Sequence, residues 1–565
     1  MTSPFQPVPC VIYEDEHLLV VNKPAGWNTH APSQYAGEGI YEWLRHREPR
    51  WANLAIIQRL DKETSGVLVF SKSALGNRSL TAQFTRRSVR KKYLLLTDRP
   101  VPRREVVVKS ALVRAGDRYV SRPLHQGGET AETRFNEFGV RSAECGIAGE
   151  CQIIEAEPLT GRTHQIRVHA AASGFPILGD TLYGGTPAAR VYLHAAELTL
   201  EHPASGEEIT FRAPIGSRPR GPLGNSESGL KRTLLGWKGP LPCLALRQGL
   251  IELSETDAYR LIHGASDGHP GWYVERLGQY LLSHGVEEPG PAQRAELNQL
   301  RELFGSRGIY HKLFTRQAGR AARAGASPRL VLGEEAPERF TVRENGVLFE
   351  LGFGEGYSTG LFLDQRDNRR RLLTQHVAAH FPLLGPLGAN GKWEVLNTFA
   401  YTCGFSVCAA KAGARTTSVD LSKRYLEWGQ RNFMLNQLDP TQHEFLHGEV
   451  LDWLRRLAKK GRRFDVVLLD PPTFSQSKTS GVFRAEKDYG RLISAALPVL
   501  RAGGVLFAST NAAGWAPEDF LARVQEAVGA ADRRVLQRHY VPQPPDFPVS
   551  RAELAYLKTV WLRVE

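Results

Sequence analysis

The chain has 565 residues, 42% of them hydrophobic, with 10 Trp, 17 Tyr and 24 Phe. A single core stops growing well below this length, so a one-domain fold is excluded, and so is global disorder. Lys and Arg outnumber Asp and Glu by 72 to 59, giving a net charge of +13, and a field of that sign draws polyanions, nucleic acid first among them.

The chain opens MTSPFQPVPC, without a basic-then-apolar leader, and no run of 18 apolar residues occurs. Neither export nor a membrane partner is expected. Six cysteines without a CxxC pair fit a reducing cytoplasm better than a disulfide framework or a zinc site.

Taken in order, the first 214 residues alternate short strand-like runs, such as Leu18–Val21 and Val67–Phe70, with Gly and Pro turns. Helical stretches are few, so a mainly antiparallel β, α+β domain is expected over residues 1–214. Lys72–Arg104 concentrates ten basic residues against the single acid Asp98. Pro214–Pro242 holds five Pro, six Gly and three Ser, a composition that sustains neither helix nor central strand, so residues 215–242 read as a linker. Residues 243–350 read as a small α+β middle domain with an Ala/Arg-rich patch at Arg316–Arg323. From there to residue 565, strand-like runs at Glu394–Phe399, Thr416–Asp420, Phe464–Asp470 and Gly504–Ser509 alternate with helical stretches. That alternation is the mark of an open, Rossmann-like α/β sheet.

Two polar constellations stand out in the first domain. Arg59–Gly66 puts a carboxylate and small hydrogen-bonding residues on a turn entering the Val67–Phe70 strand, and Thr160–His169 is dense in polar groups before an apolar helical start. Turn chemistry alone accounts for the first. Together with Asn22-Lys23-Pro24-Ala25-Gly26, Lys92-Tyr93 and Pro176–Asp180 before Tyr183-Gly184, they make the segment 12–214 resemble the RluA-type RNA pseudouridine synthases.

The resemblance implies Asp61 as catalytic nucleophile, Arg167 as its fixed cation, and Tyr93 as the ring that stacks on the flipped base and acts in the late proton removal. It implies RNA contacts from Arg59, Arg162, His164 and Gln165. Gln58 stands where relatives often carry His. His164 and His169 lack a third ligand in view, so no metal is expected and packing or RNA contact is the better account.

In the last domain Val395–Gly404 reads as a buried strand running into a polar turn and an alanine-rich helix, Phe405–Ala412. Asp420 follows about 20 residues on, where it can accept from two ribose hydroxyls. Asp470-Pro471-Pro472-Thr473-Phe474 places an acceptor on a rigid turn at the sheet edge, suited to hold a base's exocyclic amine.

With Tyr357–Gly360 and Leu363–Arg369, these make the chain from about Tyr259 onward resemble the S-adenosylmethionine-dependent large-subunit ribosomal RNA methyltransferases of the RlmI and RlmK types. The resemblance implies S-adenosylmethionine as cofactor. It assigns Asp364 and Arg366 to the methionine end, the turn residues Asn397, Phe399, Tyr401 and Gly404 with Asp420 to the nucleoside, Glu449 to the adenine side, and Asp470 to both cofactor and catalysis.

Methylation at cytosine carbon 5 needs a cysteine nucleophile. Where such relatives carry it this chain reads Ala508-Ser509-Thr510-Asn511, and Cys403 and Cys408 suit packing. Attack by a ring nitrogen, guanine N7, is therefore favoured. The expectation is a cytoplasmic bifunctional enzyme that acts on RNA, large-subunit ribosomal RNA first. The rivals are cytosine-C5 methylation, or a second half that only binds RNA.

Overall fold

The computed structural model describes residues 8–142, 151–215, 243–314, 327–354, 358–384, 393–477 and 481–565. The expected linker beyond Ile215, the Arg316–Arg323 patch and Tyr357 lie outside them.

The first domain carries β1 (Val11–Glu14), β2 (Leu18–Lys23), β3 (Ala55–Ile56), β4 (Ser65–Ser71), β5 (Arg90–Thr97), β6 (Glu105–Ala115), β7 (Arg118–Arg122), β8 (Glu129–Ser142), β9 (Cys151–Pro158), β10 (Leu193–Glu201) and β11 (Glu208–Arg212). Its helices are α1 (Ile40–Arg47), α2 (Ala74–Arg86) and α3 (Gln165–Ala172). The strands form one sheet in the order β1-β2-β4-β10-β5-β9-β8-β6-β7, with β11 beside β10 and β3 beside β4. All its pairings are antiparallel except β4 with β10. Every residue of β4 is buried, which is why its apolar run does not alternate with polar residues.

The middle segment holds α4 (Cys243–Leu250), α5 (Pro291–Phe304) and a five-stranded sheet of β12 (Ala258–His263), β13 (Trp272–Leu277), β14 (Tyr280–Gly285), β15 (Gly308–Leu313) and β16 (Arg329–Gly333). The hairpin of β17 (Phe340–Glu344) and β18 (Val347–Leu351) follows. Side chains alternate across the sheet with period two. Tyr259, Leu261, Leu281 and Ile309 join Trp43, Trp51, Leu68 and Phe70 of the first domain in one core. Ala258, Tyr280, Leu282 and Tyr310 join Phe353, Leu361 and Val395 in another. The middle sheet is thus buried on both faces, once by each neighbour, and shares its cores with them.

The last domain adds α6 (Arg366–Thr374), the two-stranded β19 (His376–Ala378) and β20 (Phe381–Pro382), and a seven-stranded sheet. That sheet is built from β21 (Glu394–Thr398), β22 (Arg415–Asp420), β23 (Glu444–His447) and β24 (Phe464–Leu469), then, past the hairpin β25 (Phe474–Ser477) and β26 (Gly481–Arg484), β27 (Leu500–Thr510), β28 (Val535–Pro542) and β29 (Lys558–Val564). The order is β23-β22-β21-β24-β27-β29-β28, parallel through β27 and antiparallel at β29 and β28. Helices α7 (Gly404–Lys411), α8 (Lys423–Leu435), α9 (Val450–Lys459), α10 (Ala485–Ala496) and α11 (Pro517–Gly529) cover it. Both faces of the central strands are buried, Val466 and Leu468 in one core and Val467 and Leu469 in the other. Among the described residues no helix is long and apolar enough to cross a membrane.

Candidate active sites

In the first domain the Arg59–Gly66 turn runs straight into β4, and β4 lies so close to β10 that a Cβ on Gly66 would sit 2.2 Å from the Ala195 carbonyl oxygen. Only glycine fits there, at a φ of +117°. The packing fixes Asp61 at the mouth of a cavity of about 1060 Å³ lined also by Arg59, Tyr93, Arg162, His164 and Arg167.

Asp61 Oδ2 lies 3.7 Å from Arg167 Nη1 and 3.9 Å from His164 Nε2. Burial pushes the Asp61 carboxyl above its ordinary pKa, while His164 and Arg167 oppose that rise. Arg167 is itself buried and held by Asp180, whose two oxygens accept from Nε at 2.7 Å and Nη2 at 2.8 Å. Its remaining nitrogen reaches Glu63 at 3.3 Å and, a little farther, Asp61. The guanidinium also lies over the Tyr183 ring, 5.2 Å from its centroid.

Tyr93, on β5, is pushed well above the usual phenol range by burial and by Asp61. A neutral ring suits stacking on a base and disfavours a resting phenolate as proton acceptor. Lys23 is fully buried and donates to the carbonyls of Pro24, Trp27 and Lys62, tying the Asn22–Trp27 loop to the residue after Asp61. Burial lowers its ammonium pKa to about 7.

Among the expected RNA contacts, Arg59 is exposed at the cavity lip and Arg162 reaches Glu129 at 2.9 Å. His164 adopts a left-handed φ of 56° before α3, with Nδ1 2.7 Å from the Tyr183 hydroxyl. Gln165 corrects the expectation. Its oxygen accepts from Thr160 Oγ1 and the Arg162 amide, and its nitrogen donates to the Glu132 carbonyl and Thr133 Oγ1. Such a side chain holds the loop together and has nothing to spare for RNA. His169 is likewise internal, between the Ser110 and Thr133 hydroxyls.

In the last domain the expected residues gather where β21, β22 and β24 end, the carboxyl edge of a parallel sheet. The turn after β21 has three non-glycine residues in the left-handed region, Phe399, Tyr401 and Cys403, at φ of 55°, 49° and 62°. Such strain persists where surroundings over-determine it. Here the Ala400 amide donates to the Val419 carbonyl, the Tyr401 amide to Asp420 Oδ2 at 2.8 Å, and Thr402 Oγ1 to the Gly360 carbonyl. Asp420 Oδ1 accepts from the Ser422 amide at 2.8 Å. Gly404 opens α7 against Leu361 and Arg369, where a Cβ would be crowded.

Asp470 follows β24, and burial raises its carboxyl to about 6. Gln365 Nε2 donates both to Asp470 Oδ2 at 3.1 Å and to Ser509 Oγ at 2.9 Å. Asn368 in turn holds Gln365, and Trp561 holds Asn368. Asp364 accepts from the Tyr556 hydroxyl at 3.0 Å.

Two expected ligands are committed elsewhere, and a third, Glu449, spends one oxygen on a helix cap. Arg366 forms a buried two-pronged ion pair with Asp546, at 2.8 and 2.7 Å, and is not free for the methionine end of a cofactor. Asn397 donates to Ser406 Oγ inside the core. Glu449 caps α9 by accepting from the Asp452 amide at 3.0 Å. The sequence reading missed Gln365, Asp180 and Asp546. Gln365 and Asp180 lay inside quoted motifs, but their partners are 105 and 13 residues away, and Asp546 sits in a Pro-rich loop that gave no signal.

One group among the described residues, Glu38, His46 and His539, brings three potential metal-ligating atoms within 4.8 Å of one another. Arg371 faces Glu38, His46 and His539, and the Ala379 amide already occupies His46 Nδ1 at 3.2 Å. Both features work against a cation.

Residues 17–172 match the RNA pseudouridylate synthase family, and residues 321–563 match the S-adenosylmethionine-dependent methyltransferase family. The chain is 33% identical to a ribosomal RNA large subunit methyltransferase of Deinococcus radiodurans over 57% of this chain and 76% of that protein. It is 34% identical to ribosomal RNA large subunit methyltransferase I of Aeromonas hydrophila, over 56% of this chain and 77% of the relative. The solved structure of human RNA pseudouridylate synthase domain containing 1 is similar at 24% identity, with a TM-score of 0.32, over 40% of this chain and 94% of that one.

Proposed function

Since the chain belongs to the ribosomal RNA large subunit methyltransferase family and carries an RNA pseudouridylate synthase domain, we propose that it modifies two bases of large-subunit ribosomal RNA in the cytoplasm. In this reading the first domain isomerises uridine to pseudouridine and the last moves a methyl group from S-adenosylmethionine to a guanine N7. The observation that carries it is a pair of carboxylates in two separate places, Asp61 beside Arg167 in an open cavity and Asp470 at the carboxyl edge of the parallel sheet.

At the first site a flipped uridine enters the cavity and Asp61 adds to it; the N1–C1′ bond breaks, the base turns, C5 bonds to C1′ as the bond to Asp61 breaks, and the C5 proton leaves while N1 takes one up, with Arg167 keeping the carboxylate ionised in a space that would otherwise protonate it. Tyr93 stacks on the base. Asp180 and Glu63 compete with Asp61 for Arg167, which leaves the nucleophile neutralised in part and still reactive. Arg59 stands at the lip, where it can fill the gap left by the extruded base.

At the second site S-adenosylmethionine supplies the methyl group. Asp420 accepts from its ribose, the turn at Phe399–Cys403 faces its nucleoside, and Asp364 and Asp470 line the far side of the same edge. The choice of a ring nitrogen rests on what surrounds the transfer point. Ser509 and Thr510 are fully buried, and Ser509 Oγ is taken by Gln365. Cys403 packs against Gly429 and Cys408 lies in the core. Cys403 belongs to the turn at this edge but is fully buried, so among the described residues no exposed thiol is offered there to activate a ring carbon by covalent attack, whereas a ring nitrogen already carries the lone pair that transfer needs.

The test is nucleoside mass spectrometry of unmodified ribosomal RNA incubated with the protein and isotopically labelled S-adenosylmethionine, with pseudouridine read by carbodiimide labelling. Labelled 7-methylguanosine together with pseudouridine is the expected result. Label on cytosine carbon 5 would overturn the nitrogen assignment, and no label with the cofactor bound would leave the last domain an RNA-binding module.

A further inference from the structure

Helix α6 is an unusual element to bury. Every residue from Arg366 to Leu372 is buried, and four of those seven are arginines. A buried guanidinium needs a partner, and here the partners come from different parts of the chain. Arg366 takes Asp546 from the loop before β29, and Arg369 takes Glu344 at the end of β17, with 2.7 Å to each oxygen. Arg370 takes Glu48 and the Arg47 carbonyl, both from the first domain. Arg371 donates to the Asp367 and Val377 carbonyls and faces the Glu38 carboxyl, also of the first domain.

Other contacts run across the same junction. Trp43 of α1 points its indole nitrogen at Asp367 Oδ2, 3.4 Å away, His46 accepts from the Ala379 amide, and Tyr35 packs edge-on against Tyr540. The first domain therefore supplies two of the four carboxyl groups that face the α6 arginines, Glu48 on Arg370 and Glu38 near Arg371.

This helix is continuous with the methyl-transfer site. The residues immediately before it are Asp364 and Gln365, and Gln365 is the donor to Asp470 and Ser509. One turn into the helix, Asn368 holds Gln365 in place. A shift of α6 of even an ångström would be handed directly to Asp470, and displacements of that size cost catalysis heavily.

We propose that the Glu38–Glu48 segment of the first domain is a working part of the methyltransferase, with Glu48 as a positioning residue that holds α6, and through Gln365 the Asp470 carboxylate, in register for methyl transfer. The dependence runs one way. Methyl transfer relies on the folded first domain and not on its chemistry, since Glu48 lies apart from the residues lining the Asp61 cavity. The inference rests on the methyltransferase reading above.

The test uses the full chain with Glu48→Gln, Glu48→Asp, Arg370→Gln and the double variant Glu48→Gln, Arg370→Gln. For each, S-adenosylhomocysteine binding is measured by calorimetry, methyl transfer to unmodified ribosomal RNA as kcat and KM, and pseudouridine formation in the same samples. Glu48→Gln is expected to lower the methyl-transfer kcat tenfold or more with pseudouridine formation within twofold of the parent. Glu48→Asp should recover part of the loss. The double variant should outperform either single neutral variant, because it strands no charge. An unchanged kcat in Glu48→Gln overturns the proposal, and so does a parallel fall of both activities, which would mark a residue acting only through the fold. Failure of the parent chain to bind S-adenosylhomocysteine would instead remove the reading on which the proposal rests.

Discussion

Replacing Asp180 with Asn tests the account of the first site most directly. Asp180 and Arg167 are almost wholly buried, with 1% and 4% of their side chains exposed, and meet through two parallel bonds of 2.7 and 2.8 Å. Asparagine keeps the shape but presents an NH2 to one of the guanidinium N–H groups, so one bond is lost and the charge is left without its main partner. Breaking a buried pair from one side costs about 3–5 kcal/mol. Glu63 at 3.3 Å offsets some of this, which favours the lower end. For a unit of this size about 3 kcal/mol lowers Tm by roughly 6–12 °C.

The released guanidinium would then close the 3.7 Å gap to Asp61 and form a direct hydrogen bond, a movement of about 1 Å. A displacement of that size in a reacting group costs on the order of a hundredfold in rate. Calorimetry gives the first quantity, and carbodiimide primer extension on ribosomal RNA at 25 °C gives the second. A variant that melts within about 2 °C of the parent and forms pseudouridine within threefold of its rate would refute the claim that Asp180 holds Arg167 back from the nucleophile.

Methyl transfer should lose rate as pH falls through about 6, the point to which burial raises Asp470, because protonation removes the acceptor for the base's amine. Replacing Gln365 with Leu deletes a bond that favours the anion and should move that limb to higher pH; a kcat profile flat across the region would contradict both statements. Asp61→Asn should abolish pseudouridine formation and spare methylation, while Asp420→Ala should do the reverse, as scored in one reaction by nucleoside mass spectrometry. Arg366→Met should cost about 3–5 kcal/mol by stranding Asp546, yet leave cofactor affinity within tenfold at 25 °C, since its guanidinium is spent on that carboxylate. Gly66→Ala should lower stability by about 3 kcal/mol or more in denaturant titration, through the clash with Ala195 and the left-handed backbone.

Much of the fold was readable where local chemistry sufficed. Apolar runs marked Leu18–Lys23, Ser65–Ser71 and four strands of the last sheet to within a few residues, and the Gly404–Lys411 helix followed its alanines. Asp61 lines a cavity next to the β4 turn, and Asp420 and Asp470 stand at the ends of β22 and β24, where local pattern put a turn and two strand ends. What local pattern could not carry was the destination of long side chains. Arg366 and Gln165 sit inside motifs and look like ligands, yet each is consumed by a partner that only the folded chain brings near, Asp546 at a distance of 180 residues and Glu132 at 33. The middle segment read as a domain in its own right because its strands and helices are complete. That both its faces are covered by neighbours is a property of packing, invisible in periodicity.

The shared middle sheet also constrains how this polypeptide comes into being. The apolar side of the first domain around Trp43, Trp51 and Phe70 is closed by Leu244, Leu250, Leu281, Leu300 and Ile309, so its core stays open until roughly 100 residues after its own last strand have been synthesised. During that interval a nascent chain carries both a greasy surface and the basic run Lys72–Arg104, and it does so at the ribosome, next to the class of RNA that the finished protein is proposed to modify. A stop codon or a proteolytic cut between residues 215 and 243 would thus release a first domain without its lid, and separating the two activities by simple truncation would yield an aggregating fragment in place of a smaller enzyme.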